Sequence, residues 1–248
     1  MRQYQTFTYK DANYRISSSA YAIITEELKR LRAVLEIYID IDPAFLHSLI
    51  PVTLKPHAPE IAHIMAEAAQ KAGVGPMAAV AGAFAEFAAR KALAAGADEA
   101  LVENGGDIFL ASTREVIVGI YAGLSPLSRK LAFRISPEEM PLALCSSSST
   151  MGHSLSLGNC DLATVVAKDA ALADAAATFA CNSVKDEADI EPALEATMRI
   201  KGVAGIFIVK GVKMGMMGEL PEFVPHSDDR LSGKVTRDKG SREYINLD

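Results

Sequence analysis

Two oxygen-bearing side chains, Asp174 and Thr178, stand one helical turn apart in an otherwise apolar run, Ala170-Ala-Leu-Ala-Asp-Ala-Ala-Ala-Thr-Phe-Ala180. The i, i+4 spacing puts both on one face of a helix. If that face is buried, the carboxylate must be neutralised by an Arg or Lys, by hydrogen bonds or by a cation. A carboxylate and a hydroxyl are hard ligands that suit Mg²⁺, which completes its shell with water and phosphate oxygens. An ordinary hydrogen-bonded aspartate explains the same spacing, and the two readings stand side by side at this stage. A second group is Glu103-Asn104-Gly105-Gly106-Asp107. Asn-Gly and Gly-Gly pairs supply the positive φ of a tight hairpin, and bare glycine amides also let a diphosphate or a ring approach the backbone. The third is the polar run from Cys145 to Cys160, in which Ser148, Thr150 and Gly152 could hold phosphates and His153 could move a proton. A surface loop accounts for that run equally well. Cys145, beside four serines, is a candidate thiolate.

These groups need elements to hold them. Gly75–Leu110 is the organising stretch: a long alanine-rich helix from Pro76, stopped by Gly96, then strands Ala100–Val102 and Ile108–Leu110 about the glycine turn. Its alanines bury little area each, so the helix must lie very close to its neighbours, and Gly82 within it marks the approach of another backbone. A second alanine-rich helix is expected over Asp169–Cys181, packed side by side with the first, and a third over Ile190–Ile200. Tyr4–Tyr9 and Asn13–Ile16 alternate as two strands, with Tyr21–Ile24 continuing the sheet and Thr25 capping a helix that carries Leu28, Leu31, Val34, Leu35 and Tyr38. A short helix follows Asp42-Pro43, and another spans Glu60–Lys71, where His63 and Glu67 read as a solvated pair. Glu115–Tyr121, Lys130–Ile135 and Leu142–Cys145 are expected to form one antiparallel meander with Ile108–Leu110. Leu162–Ala167 is a further strand, and Val203–Val209 with Lys213–Met217 a closing hairpin. Strands and helices come in groups rather than in strict alternation, so the class is α+β. Residues 1–248 read as one domain, of which 226–248 form a polar tail.

Half of the 248 residues are apolar, enough for a substantial core. The net charge is −6 and no basic cluster tracks a phosphate backbone, so nucleic acid is not an expected partner. The start lacks the apolar core of a signal peptide, and the longest uncharged stretch around the central helix, Ala72–Ala85, is too short to span a bilayer. A cytoplasmic protein away from the membrane is expected, and an assembly of identical chains is compatible with the sequence. Cys145, Cys160 and Cys181 form no CxxC pair, which fits a reducing compartment.

The order of an Ala/Gly helix, ENGGDI, a Ser/Thr-Gly-His stretch and ADAAAT resembles the ApbE family of FAD:protein FMN transferases, and closer still a cytoplasmic branch related to it. VGPMAAVAGAFAE and VENGGDIF look typical of that branch, and the likeness covers roughly residues 14–207. The resemblance implies a T-fold-like α+β architecture, antiparallel sheets with paired helices on one face. It also implies that Asp174 and Thr178 hold Mg²⁺ and that Asn104, Gly105, Gly106 and Asp107 meet FAD or FMN or another small nucleotide. In those transferases a target hydroxyl attacks the FMN phosphorus and AMP leaves. The chain departs from their pattern in two places. Ala81 stands where they have Lys before the helix glycine, and their His-x-x-Asp-Pro-x-Thr-Gly segment is reduced to Thr150-Met151-Gly152-His153. Three functions are therefore carried forward: Mg²⁺-dependent phosphoryl or flavin transfer, a non-catalytic nucleotide or flavin module, and, because the branch looks connected with sulfur assimilation, a persulfide carrier at Cys145.

Overall fold

The structure, a computed structural model, describes residues 2–225 apart from 124, 126, 127, 129 and 150–157. Strands β1 (Gln5–Tyr9) and β2 (Ala12–Ser17) form the first hairpin, which turns at Lys10 with φ 55°. Helix α1 then runs from Tyr21 to Ile41, followed by α2 (Pro43–His47) and α3 (Glu60–Ala72). Tyr21–Ile24 is therefore the first turn of α1 and not a strand. The reason is burial at helical spacing: Ile24, Thr25, Leu28, Leu31, Leu35 and Tyr38 share the inward face. Thr25 lies inside the helix and donates to the Ala22 carbonyl instead of capping.

The central helix is more finely divided than the sequence implies. A 3-10 turn over Pro76–Ala79 precedes α4 (Val80–Ala94), and β3 (Ala100–Asn104) and β4 (Asp107–Ala111) follow. Next come β5 (Val116–Gly119), β6 (Leu131–Ile135), β7 (Leu142–Ser147) and β8 (Leu162–Ala167). The chain continues through α5 (Ala170–Ser183), α6 (Ile190–Met198), β9 (Val203–Lys210), β10 (Lys213–Gly218) and β11 (Glu222–Pro225).

Eight strands form one antiparallel sheet in the order β1-β2-β3-β4-β7-β8-β9-β10, and β11-β6-β5 form a second, smaller one. The expected single meander is thus split: β4 pairs directly with β7, while β5 and β6 leave for the second sheet. Alternation along the strands shows why. Val102, Phe109, Cys145, Val165 and Ile208 face the helices, whereas Leu101, Leu110, Leu144, Val166 and Phe207 form a second apolar face that needs its own cover. Val116, Phe133 and Ile135 of the small sheet provide it, with Phe133 edge-on to Phe207 at 6.2 Å between ring centroids. The all-buried strand β8, LATVVA, reads as a continuous apolar run because both of its faces are covered.

Helices α4, α5 and α6 lie on the other face, with α1 and α3 packed outside α4 and α5. Among the described residues no single helix is long and apolar enough to cross a membrane. The pair Glu60–Ala72 and Pro76–Ala94 is long and apolar enough when taken together, but it bends by 102° and its alanines belong to the core. His63 and Glu67 are both exposed on α3. The C-terminal stretch 226–248 lies outside the described residues.

One polar knot ties the chain's start to the sheet. Glu99 accepts from Arg2 at 2.8 Å, from Ser112 at 2.5 Å and from Ser17 at 3.0 Å. Burial pushes its carboxyl up, but the hydrogen bonds of Arg2 and Ser112 outweigh it and hold the carboxyl at about 2. A carboxyl depressed by folding contributes stability that is present above its ordinary value and lost as pH falls through the folded one. Glu99→Gln is therefore expected to lower unfolding free energy by about 1 kcal/mol at pH 7, after allowing for solvent screening of the pair. Denaturant midpoints at pH 7 and pH 3 should show that difference shrinking at the lower pH; an undiminished difference contradicts the ion-pair account.

Candidate functional site

Helices α4 and α5 meet closely enough that no side chain fits at Gly82. A Cβ there would stand 2.1 Å from the Ala170 carbonyl oxygen and 3.0 Å from the Asp174 Cβ. The expected contact between the two alanine-rich helices is thus present. Its consequence is an exchange of caps. Gly82 lies in the first turn of α4, where backbone N–H groups lack intrahelical acceptors, and α4 has no capping side chain of its own. Asp174 reaches across from α5 and accepts from the Gly82 N–H at 2.9 Å. Glu86, one turn on in α4, accepts in return from the N–H of Ala170, the first residue of α5, at 2.6 Å. Each helix therefore places a carboxylate at the positive end of the other. Sequence reading missed Glu86. The signal was a lone acid one turn beyond Gly82 in an alanine-rich helix.

Asp174 does not sit alone. Asp107, the first residue after the glycine turn, is also buried and accepts from the Ser146 N–H at 3.1 Å. Burial raises the Asp107 carboxyl well above its ordinary range, and the neighbouring Asp174 raises it further. Asp174 is raised too, by burial, against the lowering effect of the Gly82 and Ala81 amides. Two buried carboxyls thus stand within electrostatic reach of each other, and neither forms an ion pair with a described lysine, arginine or histidine. Thr178, one turn along α5, is half-buried.

The turn itself is a two-residue hairpin with φ 65° at Gly105 and 111° at Gly106, the type that pairs Asn104 with Asp107. The hairpin expectation is met in full. Nothing lies within 4 Å of where a Cβ would be at either glycine, so the outer side of the turn is open.

The third sequence group divides. Ser148 is buried just beyond β7, whereas Thr150, Gly152 and His153 lie outside the described residues. Cys145 is fully buried and donates to the Ala170 carbonyl oxygen at 3.5 Å. Burial, with Asp107 and Asp174 close by, pushes its thiol well above the ordinary value. The surroundings thus oppose the thiolate and the accessibility that the serine run suggested: β7 carries Cys145 on its helix-facing side, and burial with the nearby carboxyls outweighs the one backbone amide, that of Ile108, which favours the thiolate. Cys160 and Cys181 are fully buried as well. All three thiols should alkylate slowly and at similar rates near pH 7 until the protein unfolds, as followed by peptide mass spectrometry. Rapid, selective labelling of Cys145 would contradict its burial and revive the persulfide alternative.

What this arrangement can hold is limited by its donors. No group of three or more His, Cys, Asp and Glu among the described residues is placed to bind a metal by itself. By residue type and helical spacing, Asp174 and Thr178 offer Mg²⁺ at most two oxygen ligands from one face of α5. A carboxylate has about four acceptor positions, of which the α4 amides use only some. A phosphate-bearing ligand and water would have to supply the remaining oxygens.

The fold is that of the ApbE flavin transferases. The flavin transferase ApbE from Vibrio cholerae superposes with a TM-score of 0.56 at 12% identity, over 88% of this chain and 97% of that one. The apo flavinyl transferase ApbE from Pseudomonas stutzeri gives 0.54 at 11%, over 88% and 94%. The ApbE protein from Thermotoga maritima gives 0.53 at 12%, over 89% and 97%. The sequence itself belongs to the family described as AbpE bacteria, whose model matches residues 9–204. Among its relatives are the UPF0280 protein of Methanocella arvoryzae, 41% identical over 90% of this chain and 95% of that protein, and the UPF0280 protein of Methanocaldococcus jannaschii, 42% identical over 88% and 90%.

Proposed function

We propose that this protein binds a flavin or another nucleotide diphosphate together with Mg²⁺ at the junction of α4, α5 and the glycine turn, and that it transfers or hydrolyses a phosphoryl-linked group there. The observation that carries the proposal is the buried pair Asp107 and Asp174, raised by burial and without a cationic partner, in a chain with the ApbE fold. When bound, Mg²⁺ would neutralise charge on diphosphate oxygens. Asp174 and Thr178 would hold it from one face of α5, and Gly82 N–H fixes the Asp174 carboxylate by its hydrogen bond. The open side of Gly105-Gly106 lets a ligand reach the backbone without meeting a side chain. Asp107, the residue that closes the glycine turn, is pinned by the Ser146 amide, and its raised carboxyl would hold a proton for such a ligand.

A second reading, a binding module without catalysis, is favoured by one feature: the Asp174 carboxylate caps α4, a role it would keep with no chemistry at all. Native mass spectrometry of the purified protein separates the broad proposal from its absence. A co-purifying flavin or nucleotide with one or more Mg²⁺ is the expected result, and ligand-free protein that stays ligand-free after incubation with FAD and Mg²⁺ would count against both readings.

A further inference from the structure

Away from Asp174, a concave site of about 370 Å³ opens where three segments end together. Lys71 comes from the last turn of α3, Lys168 and Asp169 from the entry to α5, and Lys201 with Gly202 from the approach to β9. Leu172 lines its floor. Leu172 and Asp174 are two residues apart on a helix, about 200° around its axis, so this cavity lies on the other side of α5 from the carboxyl pair.

Its lining differs in charge from the chain as a whole. The protein carries −6 overall, yet three lysines line this concavity against the single carboxylate of Asp169. Asp169 is already engaged in capping its own helix, accepting from the Leu172 N–H at 2.9 Å. Lys168 is held in place by the carbonyl oxygens of Glu139 at 2.6 Å and Pro141 at 3.0 Å, which leaves its charge unneutralised and one of its three donors to spare. Lys71 and Lys201 form no ion pair with any described carboxylate. The start of α5 is not what attracts an anion, since the Ala170 amide is taken by Glu86 and the Leu172 amide by Asp169. The lysines are.

A concavity lined mainly by one sign of charge concentrates counter-ions, and lysine ammoniums bind phosphate as point charges. We propose that this cavity is a second ligand site, distinct from the nucleotide site, which takes a small multiply charged oxyanion of the phosphate class, either free or as the phosphate group of a small metabolite. Lys71 and Lys201 are its principal anion contacts and Lys168 is the fixed one.

The test uses the full chain and two probes, inorganic phosphate and glycerol phosphate, each followed by calorimetry and by thermal unfolding at constant ionic strength. Saturable binding of either probe is expected. It should weaken roughly tenfold or more in the double variant Lys71→Ala, Lys201→Ala, as the loss of two charge-assisted contacts implies. Both side chains are exposed, so circular dichroism should show the variant folded. Asp174→Asn should bind the probes as the parent does, which separates failure of this site from failure of the nucleotide site. Tighter binding of the phosphomonoester identifies the carried group as the ligand, and equal binding identifies the free anion. Binding that sodium chloride reproduces at matched ionic strength, or that the double variant retains unchanged, overturns the proposal.

Discussion

Gly82→Leu is expected to lower the unfolding free energy by about 3 kcal/mol or more, the upper end of what overpacking a tight contact costs. A leucine begins with a Cβ, and even that atom would stand 2.1 Å from the Ala170 carbonyl oxygen, a backbone atom that cannot rotate away. Relief requires α4 and α5 to separate. Separation breaks the Gly82–Asp174 and Ala170–Glu86 hydrogen bonds, so two helix ends lose their caps together, at about 1 kcal/mol each. The higher helix propensity of leucine returns less than 1 kcal/mol. Urea unfolding of parent and variant measures the difference, and coincident midpoints would contradict the close approach. Gly105→Ala provides the contrast: its φ of 65° strains an alanine, but nothing lies within 4 Å, so about 1 kcal/mol is expected.

The second large effect concerns binding. Asp174→Asn keeps an oxygen that can accept from the Gly82 N–H and removes only the charge. It should leave the fold intact, and it should relieve a buried carboxylate that has no cationic partner. If Asp174 holds Mg²⁺, the same change should abolish the metal's contribution to nucleotide affinity, an effect of about 100-fold, since even indirect supports of a metal site are worth 10–100-fold. Asp174→Ala additionally removes the cap of α4 and should cost about 1–2 kcal/mol of stability. A variant set in which stability changes but Mg²⁺-dependent affinity does not would leave Asp174 with a structural role only.

Much of the fold was legible because its local signals agree with its packing. The alanine-rich helices, Gly82 as a point of close approach, the Gly105-Gly106 hairpin and the strand Leu162–Ala167 are found where their composition places them. Tyr21–Ile24 was not legible as helix, because a short apolar run has no period of its own until the rest of α1 is joined to it. The split of β5 and β6 into a second sheet was hidden for a different reason. Strand content can be read locally, but which strand pairs with which is decided by the second apolar face of the main sheet, a long-range demand.

The site divides along the same line. Asp174 and Thr178 share a face by helical arithmetic alone, whereas the proximity of Asp107, the cap from Glu86 and the burial of Cys145 arise from the crossing of α4, α5 and β7. A cysteine before four serines suggests an exposed loop in one dimension, and its strand turns it inward in three.

The most direct test of the nucleotide site is calorimetric titration of the full chain with FAD and with ADP, each in Mg²⁺ and in chelator, for the parent and for Asp174→Asn. The account predicts that the parent binds more tightly in Mg²⁺ than in chelator and that Asp174→Asn shows the weaker affinity in both. Equal affinity in Mg²⁺ and in chelator, for parent and variant alike, would contradict it.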